Sequence, residues 1–377
     1  MSESASQPAS DQKLRVLIAG GGTGGHVIPA LAIARELRDR HGAEVRFVGT
    51  ARGLETQLVP EAGFPLELVR SGQWKNVNLA TRLRTAFDLP LGVVECLRLL
   101  REFKPQVVVG VGGYASGPGM LAAVLKRVPT LAYEPNAVPG MTNRRLGRWV
   151  SAAAVSFPQT AKYFKNAEVT GVPVRREIFA IQPKPASAAP RLLVTAGSNG
   201  AQVFNQTMPK IAAELLETVA GLTIVHQAGA RHAEATRAAY IASGADTVRW
   251  RVEAFLGDMP AEYAAADVVL ARSGSTVAEL CAAGRPSVLV PFAAAADDHQ
   301  RKNAEVLVEA GAAVMLLQKD VTPASLLNVL LGLLNDPAWR AEMAAKARGL
   351  AREGALERIA GMVVELGLSR QGFTSRQ

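Results

Sequence analysis

The stretch 15–40, RVLIAGGGTGGHVIPALAIARELRDR, contains a strand, a glycine loop and a helix in that order. RVLIA (15–19) is continuously apolar, which is typical of a strand buried on both faces. GGGTGGH (20–26) predicts a tight loop, and the apolar spacing after it predicts a helix from about Val27 to Arg40. Pro29 would be tolerated in the first turn, where no amide donor is needed. The unit is typical of a parallel α/β sheet.

The same unit occurs again in the second half of the chain. Strands alternate with helices as far as residue 157, and the pattern restarts at RLLVTAG (191–197). The loop GSNGA (197–201) follows, and then a helix predicted from about Gln202 to Thr218. The proline-rich stretch between the halves lacks periodicity, which is typical of a linker. Two doubly wound Rossmann-like α/β domains facing across a cleft are therefore predicted, with ligands at the carboxyl ends of the strands. The predicted divisions are a disordered tail (1–12), an N-terminal domain (13–170), a linker (171–190), a C-terminal domain (191–350), and a C-terminal helix and tail (351–377) packing back on the first domain.

The composition is that of a globular protein, with 49% hydrophobic and 20% charged residues among 377. Cys96 and Cys281 lie in apolar helical patterns, which favours packing roles in a reducing compartment over a disulfide. No apolar run approaches the roughly 18–20 residues that span a bilayer. The net charge of +9 is concentrated in the first 170 residues, which hold 21 Lys and Arg against 13 Asp and Glu. This asymmetry indicates an anionic partner for the first half or, alternatively, an ordinary basic surface.

Two glycine loops in the first half are predicted to meet at one sheet edge. GGGTGGH has the spacing of a dinucleotide fingerprint, but no acidic residue ends the second strand, where Gly49 and Thr50 stand. Its glycines instead offer free amides at a helix start, a site suited to anionic oxygens. GVGGYASGP (110–118) supplies the second loop.

Two titratable side chains of the first half are candidates for catalysis. His26 ends the first loop, and its imidazole can accept a proton near neutral pH, so it is either a general base or a helix-capping residue. Glu134 lies in YEPN (133–136) at the end of a predicted strand. It is either a catalytic carboxylate or an exposed loop charge.

Polar loops of the second half suit a nucleotide. GSNGA places Ser198 before a helix, the expected position of a diphosphate. RSGSTVAEL (272–280) offers Ser275 and Thr276 at a helix start, and Glu279 could accept two ribose hydroxyls. DDHQRKNA (297–304) follows another strand and brings to the cleft Asp297, Asp298, His299, Gln300 and Asn303. Its adjacent aspartates do not predict a metal site, because consecutive residues on one segment seldom point at one ion.

These loops, in this order, resemble the MurG family of peptidoglycan-synthesis transferases. The resemblance runs from Arg15 to about residue 365 and rests on GGTGGHVIPALA, GVGGYASGP, GVPVRREI, GSNGAQVFNQ, RSGSTVAEL and DDHQRKNA. It implies a GT-B fold with the acceptor on the N-terminal domain and the nucleotide sugar on the C-terminal domain. It also implies inversion at the sugar carbon, with no cofactor and no required metal. The chain departs from the family at YEPN (133–136), usually His-Glu-Gln-Asn, and at GVPVR (171–175), often Gly-Asn-Pro-Val-Arg.

The resemblance also implies roles for individual residues. His26 would be the general base. The two glycine loops would contact the acceptor diphosphate through Gly22, Gly112, Gly113 and Tyr114. The donor-binding residues would be Thr23, Gly24, Gly25, Asn136, Arg175, Ser198, Leu256, Ser275, Thr276, Glu279 and Gln300.

The implied reaction moves N-acetylglucosamine from UDP-N-acetylglucosamine to the C4 hydroxyl of undecaprenyl-diphospho-N-acetylmuramoyl-pentapeptide (lipid I), forming lipid II. The implied partners are these substrates, an anionic membrane surface, and cell-wall or division proteins, but no nucleic acid. The implied location is cytoplasmic, peripheral on the inner face of the plasma membrane. Three alternatives stay open: a glycolipid transferase acting on diacylglycerol, a UDP-sugar 2-epimerase, and a UDP-sugar-binding homologue without activity.

Residues 74–105 predict a docking face for such a membrane. Leu79, Leu83 and Phe87 are spaced by four, so on a helix they form one apolar stripe, and basic residues lie around it. This combination suits docking on anionic lipid, whereas the alternative packs the stripe on the domain core. The predicted docking residues are Trp74, Lys75, Leu79, Arg82, Leu83, Arg84 and Phe87.

Overall fold

Seven parallel strands form the sheet of the first domain, within the residues that the computed structural model describes (13–72, 79–184 and 189–374). Their order is β3-β2-β1-β4-β5-β6-β7, and β1 pairs in parallel with both β2 and β4. The order in which successive strands are added to the sheet therefore reverses between β1 and β4. Ligands of such folds bind at this point. The strands are β1 (Arg15–Gly20), β2 (Glu44–Gly49), β3 (Leu66–Leu68), β4 (Val107–Gly112), β5 (Thr130–Glu134), β6 (Ala152–Val155) and β7 (Ala167–Val169).

Helices cover both faces of this sheet. They are α1 (Gly24–His41), α2 (Glu55–Glu61), α3 (Leu79–Phe103), α4 (Ser116–Leu125) and α5 (Met141–Leu146), with a 3-10 helix at Pro158–Tyr163. Helix α1 begins three residues earlier than the sequence predicted, because the glycine loop turns sharply and Thr23 is already the N-cap. Pro29 therefore lies inside the helix, and its placement in the first turn was wrong. One backbone hydrogen bond of α1 is lost there, since proline has no amide hydrogen.

The second domain repeats the design with a six-stranded parallel sheet in the order β10-β9-β8-β11-β12-β13. Its strands are β8 (Arg191–Thr195), β9 (Thr223–Gln227), β10 (Trp250–Glu253), β11 (Val268–Ala271), β12 (Ser287–Leu289) and β13 (Val314–Met315). The helices are α6 (Arg176–Phe179) in the preceding segment, then α7 (Gln202–Thr218), α8 (Ala233–Ala242), α9 (Met259–Ala265), α10 (Thr276–Ala283), α11 (His299–Glu309), α12 (Pro323–Asn335) and α13 (Pro337–Leu350), with 3-10 turns at Ala296–Asp298 and Gln318–Asp320. The predicted pair of doubly wound α/β domains is confirmed.

The chain returns to the first domain after α13. Helix α14 (Ala355–Thr374) places Ile359 and Val363 in the core cluster of the first domain, together with Val16 and Leu37. Arg358 forms a bidentate pair with Glu168, with oxygen–nitrogen distances of 2.6 and 2.7 Å. Helix α14 thus stabilises the first domain.

Two short strands, β7 and β13, were not predicted. β7 and β13 have three and two residues and lie at the sheet edges. Such short segments carry too few positions to display a period in the sequence, and pairing with a neighbouring strand defines them instead.

Candidate active site

The two glycine loops of the first domain touch through their backbones. The amide of Gly21 donates to the carbonyl of Gly112 at 3.2 Å. Gly113 has a φ of +80°, and a Cβ there would overlap the Gly21 carbonyl oxygen, so only glycine fits. Thr23 caps α1 without a side-chain hydrogen bond, and Gly25 is exposed. Because the first amides of a helix lack intrahelical acceptors, this end of α1 suits an anionic ligand.

Gly22 does not offer its amide to a substrate in this arrangement. That amide donates to Oε2 of Glu55 at 2.6 Å. No acidic residue ends β2, but Glu55 reaches the loop from α2, six residues further on. The acceptor contacts predicted at Gly112, Gly113 and Tyr114 lie at the loop surface: the two glycines are half-buried and Tyr114 is exposed.

His26 lies in the first turn of α1 with its ring against Gly112, where a Cβ would be 2.8 Å from His26 Nδ1. That nitrogen is buried and has no hydrogen-bond partner. The capping alternative does not fit, because Thr23 is the N-cap. Burial lowers the pKa of His26, the nearby His299 lowers it further, and the backbone of Val111 and the charge of Glu55 oppose the shift. His26 is thus held neutral at pH 7, the form that accepts a proton.

Glu134 organises its own loop. Its oxygens accept from the backbone amides of Asn136 at 3.1 Å and Gly140 at 3.0 Å, and from the side chains of Asn136 and Asn143 at 3.1 and 3.0 Å. Burial raises the pKa of Glu134, and these hydrogen bonds lower it. With both oxygens occupied by protein donors, Glu134 is placed to hold the loop rather than to contact a substrate. The neighbouring Tyr133 is fully buried.

Asn136 is joined to the second domain. Its Oδ1 accepts from Nδ2 of Asn303 at 3.2 Å, and Oδ1 of Asn303 accepts from the amide of Ala137 at 2.9 Å. Asn303 Nδ2 also donates to the carbonyl of Ser273 at 3.1 Å. Asn303 is only 1% exposed, so its amide is a buried bridge between the loop after β5 and the loop after β11. The sequence placed Asn303 at the cleft but assigned it no contact.

The loop after β8 is fixed to the end of β9. Gln227 Nε2 donates to the carbonyl of Gly197 at 3.1 Å, and Asn205 Nδ2 donates to the carbonyl of Ala228 at 3.0 Å. Ser198 lies exposed in this loop. Helix α7 follows with no side-chain cap, so its first amides suit a diphosphate held near Ser198.

Glu279 lies half-buried one turn into α10, after the exposed Ser275 and the half-buried Thr276. The hydroxyl of Tyr263 donates to Glu279 Oε2 at 2.9 Å. Burial raises the pKa of Glu279, whereas the Tyr263 hydrogen bond and the charge of Arg175 lower it. The fold thus brings Arg175, at the start of α6, to the same place as Glu279. Nothing in the sequence indicated Tyr263, because the contact joins α9 to α10.

Leu256 is only 4% exposed and belongs to a core cluster of the second domain. Its side chain packs with the cluster, and therefore any contact of Leu256 with the donor would use the backbone.

Gln300 lies in the first turn of α11 beside the loop after β11. Its Oε1 accepts from the amide of Phe292 at 2.9 Å, and its carbonyl accepts from Ser273 Oγ at 2.8 Å. Asp298 pairs with Arg301 on the same segment. Across the described ranges, no group of three or more His, Cys, Asp or Glu side chains is placed to hold a metal ion.

The predicted docking residues lie partly outside the described residues. Trp74 and Lys75 fall in 73–78, which the structure does not describe. Leu79, Arg82, Leu83 and Arg84 lie on α3, and their side chains are outside the described part of the structure. Phe87 is 74% exposed, which opposes the alternative that this end of the stripe packs on the core. In the described part of the chain, no helix combines the length and apolar character needed to cross a bilayer.

Comparisons with known proteins agree with this architecture. Residues 16–155 match the glycosyltransferase family 28 N-terminal domain, and residues 191–359 match the corresponding C-terminal domain. A protein of Anaeromyxobacter dehalogenans is 44% identical over 365 residues, covering 95% of this chain and 94% of its own length. It is named UDP-N-acetylglucosamine–N-acetylmuramyl-(pentapeptide) pyrophosphoryl-undecaprenol N-acetylglucosamine transferase.

Solved structures show the same likeness. The crystal structure of Acinetobacter baumannii MurG superposes with a TM-score of 0.79 at 33% identity, covering 93% of this chain and 99% of that one. A putative UDP-N-acetylglucosamine 2-epimerase of Listeria monocytogenes has a TM-score of 0.64 at 16% identity, covering 92% of this chain and 95% of its own. The second likeness concerns the fold alone. From its two matched domains and its near-complete overlap with these relatives, the chain belongs to the MurG family of glycosyltransferases.

Proposed function

We propose that the protein transfers N-acetylglucosamine from UDP-N-acetylglucosamine to the C4 hydroxyl of lipid I, with inversion, to form lipid II. One observation carries the proposal beyond the family relationship. Nδ2 of Asn303, on α11 of the second domain, donates to Oδ1 of Asn136 in the first domain at 3.2 Å. Gln300 lies one turn earlier on the same helix. The loops of the first domain and a candidate donor-binding residue of the second domain are therefore brought together at one interdomain contact.

The geometry supports a chemical division between the domains. Neutral His26 would remove the proton of the attacking hydroxyl, which approaches the anomeric carbon from the face opposite the diphosphate. Negative charge then grows on the departing UDP. Arg175 and the uncapped amides at the starts of α7 and α10 would stabilise that charge, typically by a few kcal/mol for each preorganised donor. We propose that these donors make a bound metal unnecessary.

A membrane surface would supply the polyprenyl acceptor. Phe87, Leu91 and Val94 are exposed on α3, and their spacing places them on one face of the helix. In the same domain, a cavity of about 380 Å³ is lined by Arg144, Arg148, Lys162 and Lys165 together with aromatic residues. Apolar side chains beside cations favour peripheral binding to anionic lipid. We place the protein on the inner face of the plasma membrane on that basis.

The deciding assay measures UDP release from UDP-N-acetylglucosamine with and without a lipid I analogue. We expect release only with the analogue, and a product that carries the transferred sugar. Diacylglycerol offered as the acceptor should give none, which separates the proposal from a glycolipid transferase. Formation of an epimerised UDP-sugar would instead identify a 2-epimerase, and binding of UDP-sugar without turnover would identify a homologue without activity.

A further inference from the structure

The side chain of Glu55 is a buried carboxylate that is surrounded by hydrogen-bond donors. It is 1% exposed, although it lies at the start of a surface helix, α2. Its Oε1 accepts from the backbone amide and the hydroxyl of Thr50, both at 3.0 Å, and its Oε2 accepts from the amide of Gly22 at 2.6 Å. Charge-assisted hydrogen bonds of this kind compensate a carboxylate for the loss of water.

Three glycines make room for this side chain. A Cβ on Gly21, Gly49 or Gly53 would overlap the side-chain atoms of Glu55. Gly21 belongs to the first glycine loop, Gly49 ends β2, and Gly53 precedes α2. The side chain therefore joins the first glycine loop to the end of β2 and to the segment before α2, where the amide of Leu54 also donates to the carbonyl of Gly22 at 3.2 Å.

The first glycine loop cannot move without disturbing this contact. Gly22 is held by Glu55, while the adjacent Gly21 is held by the carbonyl of Gly112 in the second loop. Just beyond Gly22, helix α1 carries His26 against Gly112. The position of His26 and of the free amides of Thr23, Gly24 and Gly25 thus depends on where Gly22 is fixed.

We propose that Glu55 is a positioning residue for acceptor transfer, which fixes the first glycine loop at Gly22 and, through that loop, the place of His26. Its oxygens accept from Thr50 and Gly22, so Glu55 acts through the loop. A loop anchored in advance loses less conformational freedom when an acceptor binds, so the effect falls on the acceptor side. This inference rests on the proposed function.

The negative charge of Glu55 has a second, measurable consequence, which concerns the pKa of His26. Two titratable groups act on His26: Glu55, from α2, raises its pKa, and His299, from α11 of the other domain, lowers it. Replacing Glu55 by a neutral isostere removes the opposing charge while His299 is unchanged. The pKa of His26 should then fall further, and the acid limb of kcat/KM for the acceptor should move to lower pH.

The test compares Glu55→Gln with Glu61→Gln, a neutralisation at an exposed position of the same helix. In Gln, an NH2 group replaces one of the two carboxylate oxygens that accept from Gly22 and Thr50. Because this group cannot accept from a backbone amide, the contact that holds Gly22 weakens. We expect the kcat/KM for a lipid I analogue to fall about 10-fold or more and the acid limb to shift to lower pH. Donor KM should rise by a smaller factor, because only Thr23, Gly24 and Gly25 of the donor-binding residues lie on this loop. Glu61→Gln should match wild type.

Thr50→Val is the second variant, in case Glu55→Gln does not fold. It removes one hydroxyl donor to the carboxylate and keeps the charge, so acceptor KM should rise several-fold without movement of the acid limb. The inference is overturned if the acceptor kinetics and pH profile of Glu55→Gln match wild type, or if acceptor kcat/KM falls and donor KM rises by the same factor. Should Glu55→Gln not fold, unchanged acceptor kinetics in Thr50→Val overturn it. A wild-type protein without lipid I-dependent UDP release would instead defeat the proposed function.

Discussion

Asn303 donates a hydrogen bond from its side-chain amide to Asn136 across the two domains, with an Nδ2–Oδ1 distance of 3.2 Å. Asn303 is on α11, at the mouth of the candidate donor site, and Asn136 is on the loop that Glu134 holds. The contact aligns a first-domain residue with the nucleotide-binding domain. It also determines which end of the Asn136 amide faces Glu134, since Nδ2 of Asn136 donates to that carboxylate.

Replacement of Asn303 by alanine should therefore raise donor KM, by about 10-fold, and lower the thermal midpoint. It leaves the amide of Ala137 and the carbonyl of Ser273 without their partner, and each unpaired buried group costs about 1–3 kcal/mol. Steady-state kinetics and thermal unfolding measure the two effects. Glu309→Gln, at an exposed position of the same helix, is the control. A lowered midpoint with an unchanged donor KM would make Asn303 a packing residue only.

His26→Ala should lower turnover by about 100-fold or more, because a general base is lost. In the wild type, burial lowers the pKa of His26 from its usual value of 6.5. Activity needs the neutral form, so it should persist at pH 6.5 and fall as pH drops through the lowered pKa. A pH profile of kcat/KM measures this limb, which should be missing from the residual activity of His26→Ala. An acid limb centred above pH 6.5, or one that survives the substitution, contradicts the assignment.

Glu279→Ala and Gln300→Ala should act on the donor. Loss of the Glu279 carboxylate removes an acceptor for ribose hydroxyls, and loss of the Gln300 amide should also relax discrimination between the 4-epimeric sugars. Donor KM with UDP-N-acetylglucosamine and with its 4-epimer measures both effects. Lys302→Ala is a matched control on α11, because its ion pair with Glu305 is at the surface and contributes little. Unchanged donor kinetics in both variants would place the donor elsewhere.

Chelation by EDTA should leave turnover unchanged, because Arg175 and the amides at the helix starts stabilise the negative charge on the departing UDP. Arg175→Ala should in contrast lower kcat by about 100-fold, the usual effect of removing one preorganised donor. Arg176→Ala is the adjacent control; Arg176 pairs with Glu357 at the surface. Activity lost to EDTA and restored by Mg²⁺ or Mn²⁺ would show that a metal shares this task.

Vesicle sedimentation should separate a docking face from an ordinary surface. We expect binding to anionic but not to zwitterionic vesicles, and release at high salt, with roughly 1 kcal/mol available from each basic residue near the surface. Changing Leu79, Leu83 and Phe87 to serine should weaken binding without loss of folding. Val248→Ser is the control, since Val248 is 86% exposed on the other domain. Protein that stays in the supernatant with anionic vesicles at low salt refutes docking.

Two parallel-sheet domains could be predicted from the sequence, because continuous apolar strands and glycine loops at helix starts are local patterns. The bounds of α7, Gln202–Thr218, were predicted as the structure has them. The start of α1 was not, since the turn made by three successive glycines does not show in the apolar spacing on which the prediction depended.

The amino-acid sequence by itself determined the order of strands and loops and the residue types at each helix start, including His26 and Glu279. Only the tertiary structure decided which side chains reach one another. Glu55 approaches Gly22 from 33 positions away along the chain, and Asn303 meets Asn136 across 167. Local periodicity specifies which face of an element is buried, but the partner on that face depends on how separate elements pack. The anchored loop and the bridge between the domains therefore exist only in the folded chain.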